Sequence, residues 1–282
     1  MKFLALALFV AFAGLAAQEP APAPAGRIET RTETLAYGSR LWVKNHNGAI
    51  AVSGWDREEV ALTAEIRDSD QRHIELVLEK NEGDLTVEAQ IQQSVLPMPF
   101  GTAGSPWCRM AVKVPRRILG RFRTTNGSIT VAQVQGYVEC ETTNGDIGLD
   151  DLAGEAVAET SNGNVEARQL HARIKGGTAN GGIVLEDVDG RVQMETTNGF
   201  IRARNLHGWG EGIQLACTNG AIDLELGRAT GDLLAVNATG AIKIRTSKGR
   251  ILEQTRHRVR LLVPGSGQTI LLETTNGSIT VR

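Results

Sequence analysis

Carboxylates and imidazoles gather in one part of the chain, where Asp150-Asp151, Asp187 and Asp189 occur among His171, His207, Arg173 and Arg191. Paired carboxylates on one solvent-facing strip could serve as general acid and base on a polysaccharide, or hold a Ca²⁺ ion through oxygen ligands. Asp187, Asp189, His171, His207 and Arg191 are therefore the candidate ligand-facing residues. No catalytic residue, cofactor site or metal site is assigned. The sequence contains no Gly-rich phosphate loop, no nucleophile elbow and no Cys-Cys metal spacing. Trp42, Trp55, Trp107 and Trp209 could stack on sugars but are scattered, and Tyr137 and Trp209 fall four repeats apart.

What must position these side chains is a repeat. Glu141-Thr142-Thr143-Asn144-Gly145-Asp146-Ile147 has close copies at Thr124–Ile129, Thr160–Val165, Thr178–Ile183, Thr196–Ile201 and Thr274–Ile279. The asparagines at 126, 144, 162, 180 and 198 are 18 residues apart. A fixed period near 20, carried by a turn dipeptide between β-branched residues, marks a solenoid whose coils stack at about 4.8 Å. Ile129, Ile147, Val165, Ile183 and Ile201 stand three residues after the asparagine, with Val131, Leu149, Ala167, Leu185 and Ala203 five after it. Val134, Leu152, Leu170, Val188 and Leu206 follow at eight, then Val138 with Cys140, or Val192 with Met194, at twelve and fourteen. This alternation, interrupted at two corners, points those side chains into a narrow core.

The Asn-Gly corner is expected to use positive φ, with Asn bonding the next coil's Asn and the preceding threonines continuing the ladder. A glycine beyond the Val or Leu position is expected to make the second corner. Outward columns test the same register. Asp150, Arg168, Glu186, Arg204 and Glu225, six after the asparagines, alternate in sign, as a solvated face of compensating charges would. His171, Asp189 and His207 form another column, in which the histidines are about 10 Å apart, too far to share one zinc ion. A third holds Glu141, Glu159 and Glu195, interrupted by Gly177.

Composition agrees with this architecture and narrows the partners. Of 282 residues 32 are glycine and only 4% are aromatic, which suits many turns around thin cores. Thirty Lys and Arg against 32 Asp and Glu leave no field favouring nucleic acid. Residues 1–17 combine Lys2, an apolar run from Phe3 to Ala13 and small residues at Gly14, Ala16 and Ala17, the layout of a cleaved secretory signal peptide. Residues 18–26 form a Pro/Ala-rich linker. No later stretch is long enough for a transmembrane anchor.

Residues 27–114 read as a β-rich N-terminal cap region, and 115–282 as the β-solenoid repeat region with irregular C-terminal coils. The Pro- and Gly-rich Leu96–Pro106 stretch reads as a loop. Cys140 and Cys217 are expected to be buried and too far apart to pair, leaving Cys108 as the one accessible thiol. The run Arg256-His257-Arg258-Val259-Arg260 reads as an edge strand defended by charge, and the 252–267 segment as a cap.

The repeated Thr-Asn-Gly-x-Ile strands, with Asn47-Gly48-Ala49-Ile50-Ala51-Val52-Ser53-Gly54 and the strand Val112-Lys113-Val114-Pro115, resemble the putative-adhesin family of exported bacterial proteins. The likeness covers roughly Arg40 to Arg282. It implies a parallel β-helix or β-roll in the cell envelope and brings no catalytic residues with it.

The expected fold is thus all-β, a parallel solenoid of about 18-residue coils. The expected function is a non-enzymatic exported binding or structural surface, periplasmic, cell-surface or secreted, without cofactor. Its expected partner is an envelope or extracellular ligand, polysaccharide or protein, and no nucleic acid. The alternative is a carbohydrate-active enzyme of the β-helical lyase or hydrolase kind, working from the outward Asp/His columns.

Overall fold

The computed structural model describes residues 26–69, 72–93, 104–208, 212–265 and 267–282. The signal peptide, all of the linker but Gly26, residues 96–103 of the expected loop, and Trp209 lie outside the described residues.

Among the described residues all regular structure is β-strand. The first third holds β1 (Arg27–Thr34), β2 (Arg40–Lys44), β3 (Ile50–Trp55), β4 (Glu59–Arg67), β5 (Arg72–Asn81), β6 (Asp84–Gln93) and β7 (Trp107–Pro115). Then β8 (Arg117–Asn126) leads into β9 (Ile129–Asn144), β10 (Ile147–Asn162) and β11 (Val165–Asn180), each running through a whole coil. Later coils break at the second corner, giving β12 (Ile183–Val188), β13 (Val192–Asn198), β14 (Ile201–Arg204), β15 (Ile213–Asn219) and β16 (Ile222–Glu225). The chain closes with β17 (Gly231–Thr239), β18 (Ile242–Ile244), β19 (Arg250–Gln254), β20 (Arg258–Val263), β21 (Gln268–Asn276) and β22 (Ile279–Val281).

Strand segments before each Asn-Gly turn stack into one wall, and those after it into a second. The stacking is parallel and shifted by one period, so that Ile129, Ile147 and Val165 are neighbours, as are Asn144, Asn162 and Asn180. The inward columns are buried as the alternation requires, and one hydrophobic core runs the length of the stack. Burying a Leu or Ile side chain stabilises by roughly 1.5–3 kcal/mol, which each coil repeats several times.

A ladder of side-chain amides fixes the register at the turns. Asn126 donates from Nδ2 to Oδ1 of Asn47 at 2.7 Å, and Asn144, Asn162, Asn180, Asn198, Asn219 and Asn276 each repeat the bond to the coil before at 2.8–3.0 Å. Thr239 ends the ladder by donating to Asn276 Oδ1. Behind it, Thr142, Thr160, Thr178 and Thr196 donate to the turn glycine's carbonyl in the preceding coil. Cys217 takes the threonine position one coil later.

The turn glycine serves a different purpose from the one the dipeptide suggests. In the regular coils it stays outside the left-handed region. Glycine is needed because a Cβ on Gly163 would lie 2.0 Å from the Gly145 carbonyl oxygen, so any side chain would force the coils apart. Left-handed backbone sits instead at the second corner, seven residues after each asparagine. Gln133, Asp151, Gln169, Asp187 and Asn205 take φ of 60°, 50°, 52°, 55° and 53°. Such residues cost of order 1 kcal/mol each, least for Asn and Asp, and packing on both sides holds them there. The glycines expected at this corner contribute too: Gly136, Gly154 and Gly190 have φ of 118°, 118° and 146°.

Chain order and spatial order part company at both ends. The coil β2–β3 lies between β6–β7 and β8–β9, pairing in parallel with both. The C-terminal coil β21–β22 lies between β15–β16 and β17–β18. Antiparallel strands extend the walls: β5 beyond β6, β4 and then β1 beyond β7, and β20 and then β19 beyond β17.

Two expectations are corrected here. Cys108 is buried rather than accessible, because β7 follows the strand alternation and points it inward. Burial pushes its thiol up to about 12. The basic run is not an edge either, since β20 is enclosed between β17 and β19, and β19 is the edge.

Candidate functional site

Asp189 sits just after β12, where an isolated parallel bridge joins it to His207. Its amide donates to the Leu170 carbonyl at 2.7 Å, which fixes the residue between the coils below and above. The carboxylate is nearly buried, with its side chain 12% exposed. Arg228 Nη2 lies 3.0 Å from Oδ1, His207 Nδ1 lies 3.8 Å from the same oxygen, and His171 Nε2 lies 3.9 Å from Oδ2. The column read from the sequence is therefore one cluster, with the acid bridging the two histidines.

Arg228 is the member sequence reasoning missed. It lies beyond β16, where the 18-residue register has already been lost, so no column position identifies it. Its Nε donates to Asn205 Oδ1 at 3.1 Å, and Asn205 Nδ2 in turn donates to Asp187 Oδ1. Asp187 is thus a corner residue, held in left-handed backbone and occupied by the amide above it. Arg191 is exposed, and among the described residues no side-chain hydrogen bond or ion pair joins it to the cluster. Among the described residues no three His, Cys, Asp or Glu side chains converge as a metal site.

Chemically the cluster is a tie. An almost buried carboxylate with an arginine at hydrogen-bond distance keeps its charge compensated, and removing that partner would leave it stranded. The neighbouring charge column acts more weakly: Glu186 lies 3.7 Å from Arg168 and 3.5 Å from Arg204, all at the surface, where such pairs contribute at most about 1 kcal/mol.

Open surface occurs on the outer side of the wall that precedes the turns. A groove of about 880 Å³ crosses the coils from Glu159 to Val236, with Lys175, Gln193, Gln214 and Glu273 along it. The glutamate column interrupted at Gly177 runs through this groove. Gly177 makes a notch beside Glu195, because a Cβ there would meet the Glu195 carbonyl at 2.0 Å.

Nearer the N-terminal end of the same wall, a smaller cleft of about 310 Å³ is lined by Arg40, Trp42, Leu119, Arg121 and Tyr137. The early coil β2 brings Trp42 within two rungs of Tyr137, a proximity hidden by their separation in sequence. Lys44 and Arg121 each stand 5.4 Å from the Trp42 ring centre. Tyr137 donates to Glu139 at 2.8 Å, and partial burial followed by that bond raises its phenol above the ordinary range.

The family model Toastrack DUF4097 matches residues 39–282, and the chain belongs to that family. The match starts beside Arg40, where the resemblance read from the repeats begins, and bears that resemblance out. Among solved structures the chain is similar to a putative cell adhesion protein from Clostridium sporogenes, with 12% identity, 90% of this chain and 99% of the other covered, and a TM-score of 0.28. It is similar to a putative adhesin from Bacteroides fragilis, with 11% identity, 92% and 99% covered and a TM-score of 0.44. It is also similar to a putative lipid binding protein from Parabacteroides distasonis, with 15% identity, 90% and 96% covered and a TM-score of 0.41. No curated protein matches.

Proposed function

We propose that this Toastrack protein is an exported, non-enzymatic binding scaffold of the bacterial envelope, whose outer wall takes an extended ligand, polysaccharide or protein. The observation that carries the reading is the long groove across successive coils, along which outward positions that the repeat leaves free to vary present both polar and apolar groups. A ligand laid along the stack would pass Lys175, Gln193, Gln214 and Glu273 on successive rungs about 4.8 Å apart. Such a surface binds by many modest contacts rather than by one deep pocket.

The residues an enzyme would need are already engaged. Asp189 is tied to Arg228 and Asp187 is held at a corner by Asn205, which supports binding over catalysis. Among the described residues no helix is long and apolar enough to cross a membrane.

Glycan and envelope-protein arrays probed with the purified chain test the reading. Binding that weakens at least tenfold in a Gln193→Ala, Gln214→Ala variant with an unchanged far-ultraviolet spectrum, without release of product, is the expected result. Cleavage of an acidic polysaccharide that disappears in an Asp187→Ala, Asp189→Ala variant would overturn it.

A further inference from the structure

The two ends of the stack differ from its sides in having unpaired strand edges. Among the described residues nothing pairs with the outer edges of β1 and β5 at the N-terminal end, or of β18 and β19 at the C-terminal end. An open edge presents a row of backbone donors and acceptors that another strand can satisfy. Apolar side chains accompany these edges. Ile28 on β1 is 72% exposed, and Ile251, Leu252 and Leu262 on the β19–β20 hairpin are each exposed by more than 40%.

Charge distinguishes the ends. Between Ala241 and Val263 seven Lys and Arg residues face a single acid, Glu253. The β5–β6 hairpin carries five carboxylates against two cations. Some of the basic residues are engaged, Arg258 with Glu253 and Arg260 with Asp232, but Arg250 and Arg256 carry no ion pair among the described residues. Glu75 and Glu79 on the outer strand β5 are likewise exposed and without an ion pair among the described residues.

The steps in the two ends also oppose each other. At the C-terminal end the pre-turn wall projects past β18 by two strands, β20 and β19. At the N-terminal end the same wall stops at β5, while the other wall runs one strand further, to β1. We propose that the C-terminal end of one molecule docks on the N-terminal end of a second copy, with β19 pairing against β5; the two-strand step at one end and the one-strand step at the other leave β1 facing β18 without pairing to it. Strand directions make the β19–β5 pairing antiparallel. Like charges keep two identical ends apart, so the contact is head to tail and its assembly open-ended.

Sedimentation velocity of the purified chain over a concentration series tests this. The expected result is a mass that keeps rising past the dimer at low salt, with association at least tenfold weaker in 0.5 M NaCl. Reversing the basic end with Arg250→Glu and Arg256→Glu, or the acidic end with Glu75→Lys and Glu79→Lys, should each give monomers with unchanged far-ultraviolet spectra. Mixing the two variants should restore assembly, because each then offers the other complementary ends. A chain that stays monomeric at low salt and high concentration, or a closed dimer indifferent to salt and to both reversals, would overturn the proposal. If a reversal unfolds the chain, the salt series on the unaltered protein decides alone.

Discussion

The coils from Ile129 to His207 and the coils at either end are built from the same turn yet assembled differently. In the middle each coil lies on the one synthesised just before it, and every contact repeats at 18 residues. At the ends a coil is threaded between two others, so β2–β3 and β21–β22 each hold neighbours distant in sequence. The middle therefore gains stability by local repetition, whereas the ends gain it by closing long loops. A coil enclosed on both sides cannot fray without breaking two sets of strand pairs, which protects a solenoid where it is most exposed to unravelling.

Deleting 268–282 should break the comparison most severely. It removes the coil that joins β15 to β17, and the expected outcome is loss of the single cooperative urea transition. Deleting 26–34, which removes only the edge strand β1, should leave that transition in place. Next in size, Gly163→Ala should destabilise by about 3 kcal/mol or more in equilibrium unfolding, since its Cβ would strike backbone. Gly148→Ala is its control, because a Cβ there meets only the Thr130 methyl at 3.5 Å.

Arg228→Ala should cost about 1–2 kcal/mol, the buried-pair value reduced because Arg228 itself is half exposed. A double-mutant cycle with Asp189→Asn should recover most of that loss. Thiol labelling at pH 8 sharpens the contrast between middle and end. All three cysteines should resist modification in the native state, burial having raised every thiol. Cys140, deep in the regular coils, should react at least tenfold more slowly than Cys217.

The smallest effect concerns Asp232, whose carboxyl is held below the ordinary range, chiefly by its hydrogen bond from Arg260. A depressed folded value means stability that is present above the unfolded carboxylate value and lost as pH falls through the folded one. Asp232→Asn should therefore lower stability at pH 7 and make no difference at strongly acidic pH, as followed by thermal unfolding across that range.

The regular coils were legible because one residue type recurs at each place where the chain turns or points inward. Asn162 and Ile183 needed no structure to be assigned their roles. The intercalated coils were not legible, since the Asn47 and Asn276 turns look like any others and nothing local states which coil will lie above. The left-handed corner escaped for a related reason. Its position is occupied by Gln133, Asp151, Gln169, Asp187 and Asn205, a polar column that reads equally well as surface. Asp187 entered the candidate site on that account, while Arg228, outside the repeat, was passed over. Asp189, His171 and His207 were found because their spacing obeys the period.

The asparagine ladder has one direction, and this gives the molecule an electrical polarity. Every side-chain amide offers its hydrogens toward the N-terminal end and its oxygen toward the C-terminal end, and the threonine hydroxyls behind it point the same way. Aligned bond dipoles add, as they do along an α-helix, so the stack is weakly positive at its first coils and weakly negative at its last. Carboxylates are in excess at the positive pole and guanidinium and ammonium groups at the negative one. A turn repeated for the sake of packing has thereby also become a compass, and the charged ends are set in accordance with it.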